Sequence, residues 1–551
     1  MSNCGKTLSS NEYVEYIFRE GPFTRKNLEK EEDYCIYPVN SKWIIGSFRV
    51  KNVENFTYEN LKLGYLPKLY GLCDLSANNA SGILTTREQP VLNLSGQNTC
   101  VVIIDTGINW RHSTFIGRDG RSRIRALYDQ ENDKIYTRED ITKALAEENA
   151  DIPGDEIGHG TAMAGIAAGN VDREALFSGV AYRADLIVVK LMPAKQYLRE
   201  IYYLKEGATA YSEVDIMLAL AWASRYVTGN ALLASFVLGI GTSLGYHSGG
   251  SPLGDMLKDE SEISGRCVTL AAGNEGNARL HYEGFVGNKE NDYFELRVDN
   301  NEKGLAFEIW SSSPEVYLLE IISPSGQIVN KLPARSGKST VINFIFENTE
   351  IEVYYLQNEA IYGQNLIAVR MNRPAAGVWR FNVYSRDIYS GKYNVWVINR
   401  EFLEGNTYIL TSTPEMTILN PANISQCTCV GAYNHRENSI ALDGSRGYNS
   451  MGLVKPDFVA PGVDIIVPDN FSNDYVDASG SSIAAAFFSG MAALILQYGA
   501  EKTEPEYYKT SEIKNMTIAG CIRKQGLSYP NREWGYGEVN LYNTIENMRV
   551  E

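Results

Sequence analysis

The sequence predicts an α/β protein in which a parallel sheet is covered by helices on both faces. An antiparallel β-sandwich is inserted into this domain, and a smaller α+β unit precedes it. Residues 99–282 alternate between apolar strands and helices, residues 283–424 alternate with a period of two, and residues 425–551 return to the first pattern. Strands alternating with helices are typical of a parallel sheet, whereas period-two segments are typical of an antiparallel sandwich.

The domain boundaries follow from these changes of pattern. A chain of 551 residues is too long for one ordinary domain. Residues 1–85 form the N-terminal unit, and its last part, 65–82, loses periodicity and gains small polar residues, which indicates an exposed linker. The α/β domain then spans residues 86–282 and 425–551, with the sandwich as an insert at 283–424.

The elements of the α/β domain are indicated by apolar runs that end in tight turns or by helical spacing. In chain order they are a strand at 99–107, a small-residue helix at 160–170, a strand at 184–192, a helix at 213–227 and a strand at 266–274. The insert contains about eight short strand-like segments separated by turns such as SPSG and PAAG, which predicts a Greek-key or jelly-roll sandwich. The apolar stretch 484–497 is interpreted as a buried helix.

Composition excludes several function classes. A net charge of −16 argues against binding to nucleic acid or to an anionic membrane, since both need a basic surface. The N-terminus lacks the basic start and apolar run of an export signal, and no stretch of about 18 apolar residues predicts a membrane span. The eight cysteines are scattered, so we expect mostly reduced, buried thiols in a protein that is synthesised and folded inside the cell.

No metal or cofactor site is predicted. The pair Cys427 and Cys429 lacks a matching Cys or His pair at zinc spacing. The acidic stretch 129–134 could hold calcium, but such clusters are more often solvated loops.

Four polar residues stand where catalytic groups would be expected. Asp105 ends an apolar strand, where open α/β sheets place functional groups, although a lone Asp-Thr-Gly is about as often a turn cap. His159 lies between two glycines at the start of a small-residue helix. A hydroxyl nucleophile needs such a base, and the base needs an acidic partner.

Ser482 and Asn274 complete this set. Ser482 leads into an apolar helix, where the helix N-terminus favours a developing negative charge; the alternatives are an ordinary N-cap serine, or Ser481 as the nucleophile. Asn274 ends a strand in a glycine-rich turn, and its amide could donate to an oxyanion, although Asn in such turns is usually structural.

These residues lie in segments that resemble the motif blocks of the subtilases. The segments DTG, HGT, AAGN and GSSIA occur in that family's order, and residues 455–462 and 445–450 resemble the stretches before its serine block. The order Asp, His, Asn, Ser differs from those of chymotrypsin-like and α/β-hydrolase enzymes. The sequence departs from the family at Ser481, where threonine is usual, and in the helix that follows, which reads AAAFFSG.

The resemblance implies a serine endopeptidase with Asp105, His159 and Ser482 as its triad and Asn274 as the oxyanion donor. It also implies that Gly239, Ile240 and Gly241 on one side, and Ala271, Ala272 and Gly273 on the other, flank the substrate side chain that precedes the cut. Gly239 replaces a common serine. No acidic residue is predicted to line this pocket, so the preferred side chain is not named.

A narrower resemblance is to the Csp proteases of clostridial spores, which share the three-part plan and a segment like residues 240–252. It implies a monomer that activates the precursor of a spore cortex-lytic enzyme during germination. Residues 1–85 would be a prodomain that acts as an intramolecular chaperone, binds in the cleft and is removed by self-cleavage within about 66–90.

Two other function classes stay open at this stage. The Csp group includes pseudoproteases that act in germinant signalling, so a catalytically silent regulator is the alternative, although such proteins typically lose triad residues. The sandwich could also recognise a glycan or a protein, but stabilisation of the protease is the simpler role.

Overall fold

The computed structural model describes residues 7–21, 24, 34–49, 57–58, 63–72, 94–147, 150–287, 291–359, 363–385 and 387–549. Strands and helices are labelled here in chain order. The α/β domain, its insert and parts of the N-terminal unit are therefore on view, and the remainder of the α+β prediction for residues 1–85 lies outside the described residues.

The N-terminal unit contains a three-stranded antiparallel sheet in the order β1-β3-β2. Its strands, with the separate strand β4, are β1 (Tyr13–Arg19), β2 (Tyr34–Pro38), β3 (Trp43–Arg49) and β4 (Leu69–Leu72). The prediction of an exposed linker at 65–82 is wrong for its first part, since Leu69 and Tyr70 are fully buried. The rest of that linker, from residue 73 onward, lies outside the described residues.

A nine-stranded sheet forms the centre of the α/β domain. Its members are β5 (Thr99–Asp105), β6 (Ile124–Asp129), β7 (Lys134–Thr137), β8 (Asp185–Lys190), β10 (Leu233–Leu238), β12 (Arg266–Ala271), β24 (Thr428–Asn434), β25 (Ser439–Ile440) and β26 (Phe458–Pro461). Strands β26-β24-β12-β10-β5-β8-β6 pair in parallel in that order, and β7 and β25 add antiparallel edges. The parallel α/β sheet predicted from the sequence is confirmed.

The domain also contains short strands and eight described helices. The strands are β9 (Tyr211–Ser212), β11 (Ile240–Gly241), β27 (Ile465–Pro468) and β28 (Tyr475–Ala478). The helices are α1 (Arg138–Ala144), α2 (His159–Ala168), α3 (Gln196–Ile201), α4 (Glu213–Gly229), α5 (Pro252–Ser261), α6 (Ser481–Ala500), α7 (Thr510–Gly520) and α8 (Leu541–Arg549), with 3₁₀ turns at Leu63–Tyr65, Ser113–Phe115 and Arg400–Phe402.

Helices cover both faces of the sheet because alternate residues of each strand point to opposite sides. In β5, Val101 and Ile103 join the core that contains α2 and α6. Cys100, Val102 and Ile104 of the same strand join the core that contains α4 and α5. The near-continuous apolar run of β5 is thus explained by burial on both faces.

Helix α6 is the one described helix that is long and apolar enough to cross a membrane. However, 89% of its apolar stretch is buried inside the protein. It is a core helix, as predicted for residues 484–497.

The insert is a sandwich of two antiparallel sheets. Its strands are β13 (His281–Phe285), β14 (Asp292–Val298), β15 (Gly304–Ser311), β16 (Tyr317–Ile322), β17 (Ile328–Val329), β18 (Lys338–Phe344), β19 (Thr349–Leu356), β20 (Asn365–Asn372), β21 (Gly377–Ser385), β22 (Lys392–Val397) and β23 (Tyr408–Ile409). One sheet has the order β13-β22-β15-β20-β19-β18 and the other β17-β16-β21-β14-β23. Three buried tryptophans, Trp310, Trp379 and Trp396, fill the shared core.

The insert is anchored on the segment that follows β11. Glu308 of the insert accepts a hydrogen bond from the backbone N–H of Gly245 at 2.6 Å. The ring of His247 stacks on Trp396 with centroids 4.1 Å apart, and His281 lies at 5.0 Å from the same indole. Leu244 and Tyr246 belong to the same hydrophobic cluster as the sandwich core, so the insert and the α/β domain share one packed interface.

The cysteines differ from the expectation at one position. Cys35 is disulfide-bonded, so the prediction of reduced thiols is wrong there; spacing along the chain carries no information about which distant residue approaches a cysteine. The five others that the structure describes, Cys100, Cys267, Cys427, Cys429 and Cys521, are buried free thiols. Burial raises the pKa of each to about 12, which keeps them protonated.

The acidic stretch 129–134 is the turn between β6 and β7. Asp129 is fully buried and accepts hydrogen bonds from the N–H of Glu131 and from Nδ2 of Asn132. Nowhere in the described ranges do three His, Cys, Asp or Glu side chains group as a metal site would require.

Candidate active site

A buried hydrogen bond joins Asp105 and His159. Asp105 is the last residue of β5, and His159 is the first residue of α2. Nδ1 of His159 lies 2.6 Å from Oδ1 of Asp105, and the N–H of Thr106 donates to the same oxygen at 2.8 Å. The carboxylate therefore fixes the imidazole with Nδ1 as the donor, which leaves Nε2 as the basic atom.

Glycine at position 160 sets how close His159 comes to β5. A Cβ on Gly160 would lie 2.2 Å from the carbonyl oxygen of Gly107, so any other residue would push α2 away from the strand. Asp155 fixes the loop ahead of the helix, because its Oδ2 accepts hydrogen bonds from both the N–H and the hydroxyl of Thr161. The glycines around His159 thus serve close packing, as the sequence predicts.

Ser482 is the second residue of α6 and lies beside His159. A Cβ placed on Gly239 would be 2.8 Å from Cβ of Ser482 and 2.8 Å from Cε1 of His159. The two side chains therefore face the same point on the backbone of Gly239 and lie within twice that distance of each other. The structure brings together all three residues of the predicted triad.

The neighbouring Ser481 is engaged elsewhere. Its hydroxyl accepts a hydrogen bond from the N–H of Gly273 at 2.9 Å, and its own N–H donates to Oδ1 of Asn274 at 3.1 Å. Ser481 thus ties the start of α6 to the turn after β12. This geometry favours Ser482 over Ser481 as the nucleophile.

Asn274 presents its amide donor without a partner. Because Oδ1 accepts from Ser481, the amide is held in one orientation, and its Nδ2 atom is buried without a hydrogen-bond partner among the described residues. A buried N–H that donates to nothing is costly and calls for an explanation. A negative oxygen next to Ser482 would supply the missing acceptor, and amides of the first turn of α6 would assist it.

The two predicted walls of the substrate pocket lie on either side of Leu419. A Cβ on Gly241 would be 2.7 Å from Cβ of Leu419, and one on Gly273 would be 2.6 Å from its Cγ. Leu419 also donates its N–H to the carbonyl oxygen of Ala272. The small residues of 239–241 and 271–273 therefore leave a narrow slot with an apolar side chain inside it.

Strand β4 of the N-terminal unit lies in this cleft. It pairs antiparallel with β11, with Leu72 opposite Ile240 and Gly71 opposite Gly241. Its other edge pairs antiparallel with β9, so that β11-β4-β9 form one three-stranded sheet. A bound peptide substrate that adds a strand to a cleft has the same arrangement.

Two acidic residues near the cleft were not predicted. Glu275 directly follows Asn274, and Glu401 comes from the 3₁₀ turn at the end of the insert. Burial raises the pKa of Glu275 to about 7 and that of Glu401 to about 8; the charge of Glu275 raises the latter further, while His159 opposes the shift. Adjacency to Asn274 was a signal for Glu275, whereas nothing in the sequence links Glu401 to the site.

A cavity of about 690 Å³ opens beside Asn274 and Gly480. The α/β domain lines one part of it, and Arg279, Arg400 and Tyr408, at the edge of the insert, line another. The cleft is therefore bordered by both parts of the protein.

Comparison with known proteins identifies the family. A sequence model of the subtilase family matches residues 96–293 and 404–537, which is more than half of the chain. The chain belongs to the subtilase family. The unmatched residues between these two ranges are those of the inserted sandwich, and subtilases as a family are serine peptidases, which are hydrolases.

Individual relatives agree with this assignment. The chain is 30% identical over 164 residues to bacillopeptidase F of Bacillus subtilis, covering 28% of this chain and 11% of the relative. It is 31% identical over 148 residues to the serine protease AprX of the same organism, covering 23% of this chain and 32% of the relative. The chain thus spans about a third or less of the length of these curated relatives.

One solved structure resembles most of the chain. The CspB protease of Clostridium perfringens is 27% identical and superposes with a TM-score of 0.76, covering 86% of this chain and 98% of the other. The match supports the subtilase fold and a relationship to the Csp group.

Proposed function

We propose that this subtilase is an active serine endopeptidase that uses Asp105, His159 and Ser482. The observation that carries the proposal is the 2.6 Å hydrogen bond between Asp105 and His159, with Ser482 beside the same imidazole. Each residue of the set has the chemical type and the position that its role requires.

In the proposed reaction, the hydroxyl oxygen of Ser482 attacks the carbonyl carbon of the scissile peptide bond. Nε2 of His159 takes the hydroxyl proton and returns it to the leaving amine, while Asp105 steadies the imidazolium. Nδ2 of Asn274 and the backbone N–H of Ser482 stabilise the oxyanion. Water, activated by His159, then hydrolyses the acyl-enzyme.

We further propose that residues 1–85 act as a prodomain and are the first substrate. Strand β4 supports this because it occupies the cleft as an extra strand. A buried ion pair between Glu15 and Lys195 also joins the N-terminal unit to the α/β domain, and the hydroxyl of Tyr197 donates to Glu15 at 3.0 Å. The bond cut within the interval 66–90 would lie just beyond Leu72, outside the described residues.

The biological substrate is proposed from the resemblance to the Csp proteases. It is the precursor of a spore cortex-lytic enzyme, cut during germination by a monomeric protease incorporated into the spore. The similarity to the CspB protease over 86% of the chain supports this narrower proposal.

A fluorophosphonate probe tests the catalytic proposal. We expect covalent labelling at Ser482 in the full chain, loss of labelling in Ser482→Ala, and a mature N-terminus by mass spectrometry shortly after Leu72. A Ser482→Ala protein that still cleaves itself would refute the assignment. A wild-type protein that folds but neither labels nor self-cleaves would favour the silent germination regulator instead.

Incubation with purified precursor tests the substrate proposal separately. We expect wild-type protein, but not Ser482→Ala, to convert a cortex-lytic enzyme precursor to its shorter active form. Labelling at Ser482 without cleavage of the precursor would leave the peptidase in place and remove the germination role.

A further inference from the structure

The end of the insert bridges the two walls of the pocket beside Ser482. Nδ2 of Asn399 donates to the carbonyl oxygen of Gly241 at 3.0 Å, and its Oδ1 accepts from the N–H of Ser243 at 2.8 Å. The N–H of the next residue, Arg400, donates to Oε1 of Glu275 at 3.4 Å. Residues 399–401 therefore cross from the wall after β11 to the wall after β12.

This bridge brings two carboxyl groups into one small region. Oε2 of Glu275 and Oε1 of Glu401 are both buried atoms without a hydrogen-bond partner among the described residues. The two groups interact electrostatically with each other, and Glu401 also interacts with His159, so its carboxyl lies close to the catalytic imidazole. Two carboxyls that share a site repel each other when both are ionised.

The positive groups nearby do not fully neutralise this pair. The backbone of Arg400, not its guanidinium, contacts Glu275, and Nη1 of Arg400 is itself buried without a partner. Lys205 and Arg400 act on the carboxyls through space, while Asp443 adds a further negative charge near Glu275. Counting Arg400 against Glu275 and Glu401 leaves one negative charge that a ligand could balance.

We propose that Glu401, carried by the inserted sandwich, completes with Glu275 the pocket for the substrate side chain that precedes the cut, and that this pocket selects lysine or arginine. The inference rests on the proposed peptidase function and adds its specificity. Leu419 in the slot gives the aliphatic part of such a side chain an apolar contact, while the charged end reaches the carboxyls. An acidic pocket that excludes water favours a cation that pairs with it.

Cleavage of a matched peptide series tests the proposal. The peptides differ in one residue, Lys, Arg, Gln or Leu, before the scissile bond, and kcat/KM is measured with the full, self-processed protein. We expect Lys and Arg to be preferred over Leu, and we expect Glu401→Gln to reduce the Lys-to-Leu ratio by roughly 10- to 100-fold, the range for a hydrogen bond to a charged group. Glu401→Lys should reverse the preference toward acidic residues.

A matched control lies three residues further on. Glu404→Gln removes a carboxylate of the same connection that pairs with Lys303 at 2.9 Å away from the cleft, and it should leave the Lys-to-Leu ratio unchanged. Fluorophosphonate labelling of every variant confirms an intact catalytic centre. If wild type and Glu401→Gln label equally and share the same ratio within about twofold, the pocket proposal is overturned and the peptidase proposal stands. If wild type neither labels nor cleaves any peptide, both fail.

Discussion

Two buried acid–base pairs, one in the cleft and one in the inserted sandwich, look alike in the sequence but differ in what they leave unsatisfied. In the sandwich, Glu352 accepts from Arg370 at 2.9 Å through one oxygen, and from the N–H of Tyr58 and the hydroxyl of Ser339 through the other. In the cleft, Oδ2 of Asp105 has no hydrogen-bond partner among the described residues, and neither has Nδ2 of Asn274.

The difference separates structural from functional polarity. The sandwich pair uses both carboxylate oxygens to join strands β18, β19 and β20 to the N-terminal segment. The cleft pair keeps hydrogen-bonding capacity in reserve, at a cost to stability that a bound reacting group would recover. Removing the first pair should therefore affect folding, and removing the second should affect turnover.

The largest effect is expected at the nucleophile. Ser482→Ala should lower kcat by roughly 10⁶-fold, a figure known from the triad of subtilisin itself, because no hydroxyl remains beside His159. Ser481→Ala is the matched control, and it should lose far less because its hydroxyl serves Gly273. Peptide hydrolysis rates decide the matter, and equal losses in the two variants would contradict the choice of Ser482.

In the sandwich, the charge pair should matter to stability alone. Arg370→Met leaves Glu352 buried without its cation, and we expect the free energy of unfolding to fall by about 3–5 kcal/mol. Urea denaturation measures this loss. The half-exposed pair of Arg380 and Glu295 offers the control, since Arg380→Met should cost about 1 kcal/mol or less. A change in kcat per folded molecule in Arg370→Met would break the distinction between the two pairs.

The reserve donor should affect the transition state without affecting binding. Asn274→Ala should lower kcat by roughly 10²–10³-fold with little change in KM, which is the range known for the same donor in subtilisin. Asn277→Ala, three residues later on an exposed turn, is the comparison variant and should retain activity. Steady-state kinetics that show a KM effect instead would indicate a role in substrate binding.

A smaller, pH-dependent effect is expected where the two regions meet. Burial lowers the pKa of His247 to about 3 and that of His281 to about 4, on either side of their shared contact with Trp396. The unfolded chain therefore takes up protons first, so stability is fully present above about pH 6.5 and is lost as the pH falls toward 3–4. At pH 5 one such histidine costs about 2 kcal/mol.

The variant His247→Phe, which keeps a ring against Trp396, isolates this effect. Its melting temperature should fall less between pH 7 and pH 5 than that of wild type. Glu15 works in the opposite direction, since burial raises its pKa to about 7 and its contribution to stability is lost as the pH rises through that value. It is present in both proteins, so the difference between them reports on His247.

The sequence contains enough information to find the residues of the triad because each sits at a recognisable position. Asp105 ends a β-branched strand, His159 is flanked by glycines, and Ser482 begins an apolar helix. Their type and place follow from local patterns, and the family resemblance supplies the register between Ser481 and Ser482. The parallel sheet and the sandwich are predicted for the same reason.

What the sequence does not reveal depends on contacts between distant segments. Strand β4 lacks a periodic pattern of its own, since its burial comes from β9 and β11, far along the chain. Glu401 is one of many acidic residues until the fold carries it next to Glu275. Likewise, nothing near Cys35 indicates that it is oxidised while five other cysteines remain thiols.

The position of β4 has a kinetic consequence for the first turnover. A strand tethered to its own groove is present there at an effective concentration in the millimolar range, whatever the dilution of the protein. Competing peptides therefore have to wait until this segment leaves, and its departure is a first-order event. The lag before peptide hydrolysis begins should be the same in dilute and in concentrated samples.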